Sequence, residues 1–352
     1  MKILGIETSC DETAAAVVED GQKMLSSSLA TSIDMHIAYG GVVPEIAARS
    51  HIESIIPVVE DALETAKTSW DDIDTIAVTY GPGLSGSLLI GVMTARTLAI
   101  AKNKPLYGVN HVEAHVYANF ITETPLPSFV LPATLPKFPI LALIVSGNHS
   151  QIVLFKNHFD YKVLGQTGDD AVGEAFDKVA KILGLPYPGG PSVSQAAQKG
   201  DPASVKLPIS KLENPYDFSF SGVKTAVLRA AQKMAGKDFT FPSTELPTAL
   251  SEAQKLNLAA SFQDTAIRTL INGLKAAANQ FGPQSIVIAG GVAANQELRR
   301  QAEKLTPKPI YTDIKLCTDN AAMIAAQAYF MASHKRPPVD PYTLEIDPGL
   351  QM

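Results

Sequence analysis

The chain has 352 residues and a formal net charge of -6, with 46% hydrophobic and 18% charged residues. This balance is typical of a globular protein with a sizeable core, and it excludes the disordered and fibrous classes. The negative charge gives no overall attraction to nucleic acid or to an anionic membrane. Binding of RNA would therefore need a local basic patch or the help of a partner.

Signals for export and for membrane insertion are weak in this sequence. The longest apolar run, 138–145, is far too short to span a bilayer, and Glu7 and Asp11 interrupt any signal-peptide core near the N-terminus. Two cysteines, Cys10 and Cys317, do not favour a disulfide framework. We therefore expect a cytoplasmic protein that does not associate with membranes.

The first 124 residues predict an α/β lobe that opens with a hairpin. Strands are predicted in "KILGIET", "AAAVVED" and "GQKMLSSSLA". A helix that begins at Pro44 and is apolar at helical spacing follows them. The next segments predict a strand, a glycine loop, the helix "SGSLLIGVMTARTLAIAK" and the short strand "PLYGVN".

A proline-rich stretch, 125–139, predicts an irregular connector and therefore a boundary between lobes. The opening pattern then returns, because "PILALIVSGNHSQIVLF" again predicts a strand, a turn of small residues and a strand. Two such hairpins indicate a duplicated two-lobed α/β protein, with a second lobe over 140–319. We expect a C-terminal segment, about 320–352, to pack back on the first lobe.

The second lobe continues with alternating helices and loops. Helices are predicted in "AVGEAFDKVAKILGL", "KLNLAASFQDTAIRTLINGLKAAANQF" and "NQELRRQAEKL", and a strand in "SIVIAGG". The segment "PYPGGPSVS" is interpreted as a loop and "NPYDFSFSGVKTAV" as a run of turns. Residues 236–252 are interpreted as a surface insertion.

Three glycine-rich loops at strand ends have the layout that can cradle phosphate: "GPGLSGS", "VSGNHS" and "AGGVAAN". Glycine permits close backbone approach, and the N-terminus of a following helix offers N–H groups to an anion. A single loop of this kind is more often ordinary turn geometry. Three in one chain favour a nucleotide cleft, although none fits the Walker pattern or the dinucleotide fingerprint.

Asp11 and Glu12 lie in the first hairpin turn. Carboxylates beside a phosphate site repel the ligand unless they hold a metal, position water or transfer a proton. A solvated turn explains the same residues. The pattern alone leaves both interpretations open.

His111 and His115 in "NHVEAH" are four residues apart, so on a helix they differ by about 40° in direction and can share one ion. Glu113 would point about 160° away from His111. In the H-E-x-x-H motif of zinc proteases the glutamate directly follows the first histidine and reaches the metal-bound water. The spacing therefore disfavours such a protease, and two ordinary histidines remain the alternative.

A third metal ligand has to come from elsewhere in the chain, because two are too few for a stable site. Asp319 in "CTDNAAMIAA" stands at the start of an apolar helix. Asp is also a common helix N-cap in that position. The pattern does not choose between a ligand and a cap.

Taken in order, several stretches resemble the tRNA threonylcarbamoyladenosine biosynthesis transferase family in its bacterial and organellar form. The resemblance runs from residue 5 to about 325. It is carried by "GIETSCDET", "YGGVVPEIAARSH", "GPGLSGSLLIG", "HVEAH", "VSGNHSQ", "DDAVGEAFDKVAKILGLPYPGGP", "FSFSGVKT", "GGVAANQELR" and "CTDNAAMIA". Members of the family were once described as O-sialoglycoprotein endopeptidases.

The resemblance implies a fold and a reaction. The fold is the two-lobed actin, Hsp70 and sugar-kinase fold, with duplicated mixed-sheet domains and a cleft between them. The reaction moves a threonylcarbamoyl group from threonylcarbamoyl-AMP to N6 of adenosine 37 in tRNAs that read codons beginning with adenine. ATP or ADP is the alternative resident nucleotide.

The resemblance also assigns roles to residues. His111, His115 and Asp319 would hold one divalent ion, Fe²⁺ or Zn²⁺. Asp11 and Glu12 would lie near the reacting group as catalytic residues. The adenylate site would be lined by Ile144, Val145, Ser146, Gly147, Asn148, Asp177, Gly190 and Asn295. Because the adenylate is already a good leaving group, Cys10 would be a loop residue and not a covalent catalyst.

Two positions depart from the family pattern. Asn148 replaces a glycine in the second hairpin turn, where asparagine is the best substitute if the backbone needs a positive φ. Ala321 replaces a glycine beside Asp319, and we expect little effect. The loops at 122–139 and 236–252 are longer than typical for the family.

The resemblance implies partners: tRNA, a smaller non-catalytic paralogue of the same fold, and a small P-loop ATPase. A homodimer is a further alternative. Two other functions compete with the transferase. One is the metalloprotease of the older family name, and the other is a nucleotide-gated binding module with the actin fold.

Overall fold

The computed structural model describes residues 1–127 and 129–352. The chain forms two compact units. The first contains Met1–Pro136 together with Ile310–Met352, and the second contains Lys137–Pro309.

The strands occur as an early group in the first unit and a later group in the second. In chain order they are β1 (Lys2–Glu7), β2 (Glu12–Glu19), β3 (Lys23–Met24), β4 (Ser28–Thr31), β5 (Thr75–Gly81), β6 (Leu106–Asn110), β7 (Ile140–Val145), β8 (Ser150–Asn157), β9 (Asp160–Gln166), β10 (Ser285–Ala289) and β11 (Pro309–Ile310).

The α-helices surround these strands. In chain order they are α1 (Ile33–Ile37), α2 (Pro44–Thr65), α3 (Ser85–Lys102), α4 (His111–Tyr117), α5 (Val172–Leu183), α6 (Gly189–Ala197), α7 (Ser221–Met234), α8 (Leu246–Ala249), α9 (Glu252–Phe281), α10 (Gln296–Ala302) and α11 (Ala321–Ser333). Within the described residues, no helix is both long and apolar enough to cross a membrane.

Each unit is built on a mixed sheet that starts from a hairpin. In the first unit the order is β3-β2-β1-β5-β6, with β4 also paired to β2. Here β1 is antiparallel to β2 and parallel to β5. In the second unit the order is β11-β10-β7-β8-β9, and β7 is antiparallel to β8 and parallel to β10. The duplicated α/β pattern expected from the two hairpins is confirmed.

The core of the first unit lies between its sheet and the helices α2 and α3. Leu4, Ile6 and Val78 on the strands are fully buried, and they form one cluster with Val59 of α2 and Val92 of α3. β1 and β5 are apolar on successive residues because helices cover both faces of the sheet. α11 packs on the other side, against β1 and β2.

The last residues of the chain pack on the first unit. The Val339 N–H donates to the carbonyl of Leu106 and the Asp347 N–H to that of Tyr80. The guanidinium of Arg96 donates to three carbonyls of this segment, those of Pro341, Tyr342 and Leu344.

Two segments interpreted as irregular contain helices. α6 begins inside "PYPGGPSVS" because the carboxylate of Asp177 accepts the Gly189 N–H at 2.7 Å, which satisfies the first turn from another element. α7 begins at Ser221 inside "FSFSGVKTAV", where the carboxylate of Asp169 accepts hydrogen bonds from Ser219, Phe220 and Ser221. In both cases the capping group comes from a distant part of the sequence.

Candidate metal centre and substrate-binding turn

α4 carries the two histidines, and Asn110 caps its N-terminus. The side chain of Asn110 accepts the backbone N–H groups of Val112 and Glu113 at 2.9 and 3.1 Å, so it satisfies two of the first N–H groups of the helix. His111 and His115 then lie on one side of α4, with ring centroids 4.8 Å apart. Both side chains are buried.

Asp319 immediately precedes α11, but it is not the cap of that helix. The N-cap is Asn320, whose side chain accepts the Met323 N–H at 3.0 Å. The carboxylate of Asp319 faces the histidines instead. Of the two roles that the sequence pattern left open for Asp319, capping of α11 is therefore excluded, because its neighbour Asn320 caps the helix.

Gly5 brings α11 close to the sheet. A Cβ on Gly5 would lie 2.3 Å from the carbonyl oxygen of Ala321 and 2.9 Å from the amide nitrogen of Ala325, so only glycine permits this crossing. α11 is buried on nearly all sides, in keeping with its largely apolar sequence. This close packing places the start of α11 beside α4.

His111, His115 and Asp319 form a group whose ligand atoms all lie within 4.8 Å of one another. Asp319 Oδ1 is 3.4 Å from His111 Nε2 and 3.6 Å from His115 Nε2. Ligand atoms at about 2.1 Å from a tetrahedral ion are about 3.4 Å apart, so these separations suit one ion. Three protein ligands would leave a coordination position open, as in catalytic sites.

Glu7 lies on the other side of His111 and is fully buried. Its Oε2 is 3.1 Å from His111 Nδ1. Burial alone would lower the pKa of His111, but the carboxylates of Asp319 and Glu7 raise it well above its usual range. Burial alone would raise the pKa of Glu7, but His111 lowers it. In the absence of metal, a proton on His111 therefore balances the two carboxylates.

Asp11 and Glu12 belong to the same group of charges. Burial, followed by the charges of Asp319, Asp11 and Glu7, raises the pKa of Glu12 well above its usual range. Glu7, Asp11, Glu12 and Asp319 are therefore four carboxylates that repel one another in a largely buried environment. Such a group is stable only with nearby cations or bound protons. This donor set fits a divalent ion.

Cys10, in the same hairpin turn, is not an activated thiol. Burial and the charge of Asp11 raise the pKa of its thiol far above the range of a reactive cysteine. Its backbone carbonyl is held by the hydroxyl of Ser87 at 3.0 Å and by His51 Nε2 at 3.1 Å. Burial lowers the pKa of His51, which keeps the ring neutral while Nδ1 accepts from Thr13.

Glu113 is not part of the group of ligand atoms. It is buried on α4, and its charge raises the pKa of Tyr80, after the larger effect of burial.

In the second unit, five candidate residues lie at the end of β7 and in the turn that joins it to β8. Ile144 and Val145 are fully buried strand residues, paired with Gln151 and Ser150. Gly147 and Asn148 are exposed at the turn. The carbonyls of Ser146 and Gly147 accept the N–H groups of the first turn of α5.

Asn148 does not adopt a positive φ. Among the described residues, the non-glycine positions with positive φ are Asp20, Lys67, Asn103, Phe159 and Lys335. This turn therefore needs no special backbone conformation at position 148, and asparagine fits it without strain.

Asp177 and Gly190 are brought together at the start of α6. Burial raises the pKa of Asp177, although its hydrogen bond to Gly189 acts in the opposite direction. A Cβ on Gly190 would meet nothing within 4 Å, so the space beside it is open.

Asn295 joins three helices. Its Oδ1 caps α10 by accepting the Leu298 N–H, and its Nδ2 donates to Ser194 of α6 and to Gln263 of α9. Its amide group thus already has structural partners. Gly290, with φ of +91°, lets the preceding loop pass against the backbone of Val145.

Several residues with clear structural or electrostatic roles were missed from the sequence. Glu7 could have been noticed as a lone acidic residue at the end of an apolar strand. Asp170 accepts hydrogen bonds from Lys178 and Lys224, and together with Asp169 it joins the start of α5 to the start of α7. His51 gave no local signal of its own.

The chain is similar to known proteins over nearly its whole length. A family model described as tRNA N6-adenosine threonylcarbamoyltransferase matches residues 23–326. The protein of that name from Thermomicrobium roseum is 48% identical over 345 residues, which covers 94% of this chain and 92% of the relative. The Bacillus licheniformis protein of the same name is 46% identical over 330 residues, which covers 92% of this chain and 90% of the relative.

Among solved structures, HypF of T. kodakarensis superposes with a TM-score of 0.63 at 12% identity. It covers 95% of this chain, which spans 48% of the HypF chain. At this identity the likeness shows the fold alone, and that fold is the actin, Hsp70 and sugar-kinase fold expected from the sequence. The family model and the sequence relatives show that this chain belongs to the tRNA N6-adenosine threonylcarbamoyltransferase family.

Proposed function

We propose that this chain transfers a threonylcarbamoyl group from threonylcarbamoyl-AMP to N6 of adenosine 37 in tRNAs that read codons beginning with adenine. We propose that His111, His115 and Asp319 hold one Fe²⁺ or Zn²⁺ ion that assists the reaction. The observation that carries the proposal is the convergence of these three ligand atoms in a member of a threonylcarbamoyltransferase family.

The chemistry requires a more electrophilic carbonyl carbon, because the adenine amine is a poor nucleophile. A metal ion at this site would supply Lewis-acid polarisation and orientation of the threonylcarbamoyl group. The chain's own contribution is to hold three ligand atoms within reach of one ion. The buried positions of His111 and His115 limit access of water to the ligands.

Asp11 and Glu12 are proposed to handle the proton released from N6. Burial and the neighbouring carboxylates raise the pKa of Glu12, so Glu12 holds a proton more readily than an exposed glutamate does. The ionised member of the pair would accept the N6 proton as the new C–N bond forms and AMP leaves. Cys10 takes no covalent part, because its thiol stays protonated.

The second unit is proposed to bind the adenylate. Ser146, Gly147 and Asn148 would meet it through the exposed turn, while the buried strand residues Ile144 and Val145 would set the position of that turn. Asp177 could accept hydrogen bonds from ribose hydroxyls. The open space beside Gly190 would admit the nucleotide, and Asn295 would hold α6 and α10 in place.

We further propose that the protein acts on tRNA in the cytoplasm together with a smaller paralogue and a small P-loop ATPase. The adenylate is the preferred resident nucleotide, with ATP or ADP as alternatives. The lobe boundaries at 1–124, 125–139 and 140–319, and a cleft between the lobes, remain predictions.

The test is reconstitution. The purified chain with its two partners, tRNA, threonine, bicarbonate and ATP is expected to form the modified nucleoside, detected by mass spectrometry of digested tRNA. The His111→Ala variant is expected to make none while remaining folded. His334→Ala, at the exposed end of α11, serves as a matched control and should keep full activity.

Two outcomes would contradict the proposal. Chelator-sensitive cleavage of glycoprotein substrates without nucleoside formation would favour a metalloprotease. Normal function of the His111→Ala variant would favour a nucleotide-gated binding module, since such a module does not need the ion.

A further inference from the structure

Glu7 is a buried carboxylate for which the mechanism above has no use. It ends β1 and has no exposed surface. Its Oε2 accepts a hydrogen bond from the Thr79 hydroxyl and faces His111 Nδ1 at 3.1 Å, and its Oε1 accepts the backbone N–H of Ser9. Burying a charge is costly unless it is paired, so this carboxylate needs a structural or chemical reason.

The two ring nitrogens of His111 face different groups. Nε2 points to Asp319 Oδ1, in the group of proposed ligand atoms, and Nδ1 points to Glu7 and to the Ser9 hydroxyl at 3.1 Å. A carboxylate accepts hydrogen bonds and cannot donate them when ionised. Asp319 is a carboxylate too, so it can accept from Nε2–H as Glu7 accepts from Nδ1–H. An ion on Nε2 leaves the proton of a neutral His111 only on Nδ1, where Glu7 accepts it.

We infer that Glu7 is a positioning residue that fixes the tautomer and the orientation of His111 for metal binding. The inference rests on the metal site of the proposed function. Outer carboxylates of this kind raise the basicity of a histidine ligand and hold its ring in place.

Glu7 also joins the metal site to the hairpin turn of Asp11. The Ser9 N–H that Glu7 accepts lies two residues before Asp11, and Ser9 itself contacts His111 through its hydroxyl. Displacement of His111 would therefore disturb the turn that carries the proposed proton acceptor. One carboxylate supports both parts of the site.

The Glu7→Gln variant tests this arrangement. A carboxamide has a single acceptor oxygen, so it cannot accept hydrogen bonds from both the Ser9 N–H and His111 Nδ1–H. The Ser9 backbone N–H can only donate, so the amide oxygen must face it. The amide NH₂ group then faces His111 Nδ1, which must accept, and the ring proton moves to Nε2. The opposite amide orientation would leave the Ser9 N–H facing a second donor.

The experiment measures Zn²⁺ affinity of the purified chain by competition with a chromophoric chelator. We expect Glu7→Gln to weaken binding by about 10- to 100-fold. Glu45→Gln is the matched control, because Glu45 is 76% exposed and pairs only across the surface with Arg49. It should bind as the unaltered chain does.

A second measurement does not depend on the stability of any variant. Nitrogen-15 NMR of the unaltered chain with Zn²⁺ bound is expected to show the ion on Nε2 of His111 and the proton on Nδ1. An ion on Nδ1 would overturn the inference, even if Glu7→Gln fails to fold. Where the variant folds, the proton of its neutral, metal-free ring is expected on Nε2.

The outcomes separate the two proposals. If the unaltered chain binds no Zn²⁺ and no Fe²⁺, the proposed metal site itself is wrong. If it binds Zn²⁺ and Glu7→Gln binds equally well, the metal site stands and the role of Glu7 is wrong.

Discussion

At the scale of single residues, the site depends on charge balance. His111 lies between Glu7 and Asp319, and these carboxylates outweigh the effect of burial and raise its pKa. Without metal the ring therefore carries a second proton at neutral pH. A metal ion has to displace that proton from Nε2, so protons and metal compete for the same atom.

We predict that metal binding strengthens as pH rises. Because His111 is the group with the raised pKa, metal binding releases a proton wherever the pH lies below that pKa. The apparent Kd should fall about tenfold per pH unit there, if one proton is released. Chelator competition over several pH values checks this. A flat profile would mean that the ring is already neutral.

His115 gives a second prediction at this scale. Removing one of three ligands should reduce the bound metal to a small fraction, because two ligands are too few for a stable site. Metal analysis of purified His115→Ala, beside the unaltered chain and His334→Ala, measures the stoichiometry. Full metal content in His115→Ala would show that the ion binds elsewhere.

At the scale of elements, the crossing of α11 over β1 brings Asp319 to the histidines. Gly5 allows this crossing, since a Cβ there would overlap the backbone of α11. The positions of the histidines follow from α4 and its Asn110 cap, which local sequence pattern can suggest. The close approach of a C-terminal helix to the first strand has no such local signal.

We predict that Gly5→Ala destabilises the protein by about 1–3 kcal/mol, as overpacking of a dense core does. It should also weaken Zn²⁺ binding, because α11 has to move and Asp319 moves with it. Denaturant unfolding and chelator competition measure the two effects. Gly168→Ala, where a Cβ meets nothing within 4 Å, is the control and should change neither.

At the scale of the whole molecule, an acidic chain has to bind an acidic substrate. The net charge of -6 opposes tRNA, so phosphate contacts must be local. Arg229, Lys233 and Lys237 line a groove of about 460 Å³ together with Phe239. The Phe239 ring is 68% exposed and lies under the Arg229 guanidinium at 4.8 Å. Cations beside an exposed ring suit phosphates and unstacked bases.

We predict that the double change Lys233→Glu and Lys237→Glu weakens tRNA binding and lowers the slope of log K against log salt by about 2. Fluorescence anisotropy at several salt concentrations measures both quantities. Lys156→Glu with Lys162→Glu, two exposed lysines on β8 and β9, is the control of equal charge. If both double variants lose the same tRNA affinity, the loss reflects total charge and not a contact of tRNA with this groove.

Local sequence pattern was sufficient for most elements. The hairpins, the long helices and the glycine loops follow from residues within a few positions of one another. Local pattern did not predict α6 or the start of α7. The groups that cap these helices, Asp177 and Asp169, come from other segments of the chain. The resemblance to a family, not periodicity, was what pointed to Asp319 and to the reaction.

By itself, the sequence determined the duplicated α/β pattern, the shared face of His111 and His115, and the family. Only the tertiary structure decided that Asn320, and not Asp319, caps α11, and that Glu7 lies beneath His111. The physical reason is the range of the interactions. Helix periodicity and capping act within a few residues, whereas burial of charge and the packing of α11 on Gly5 join residues that are distant in the chain.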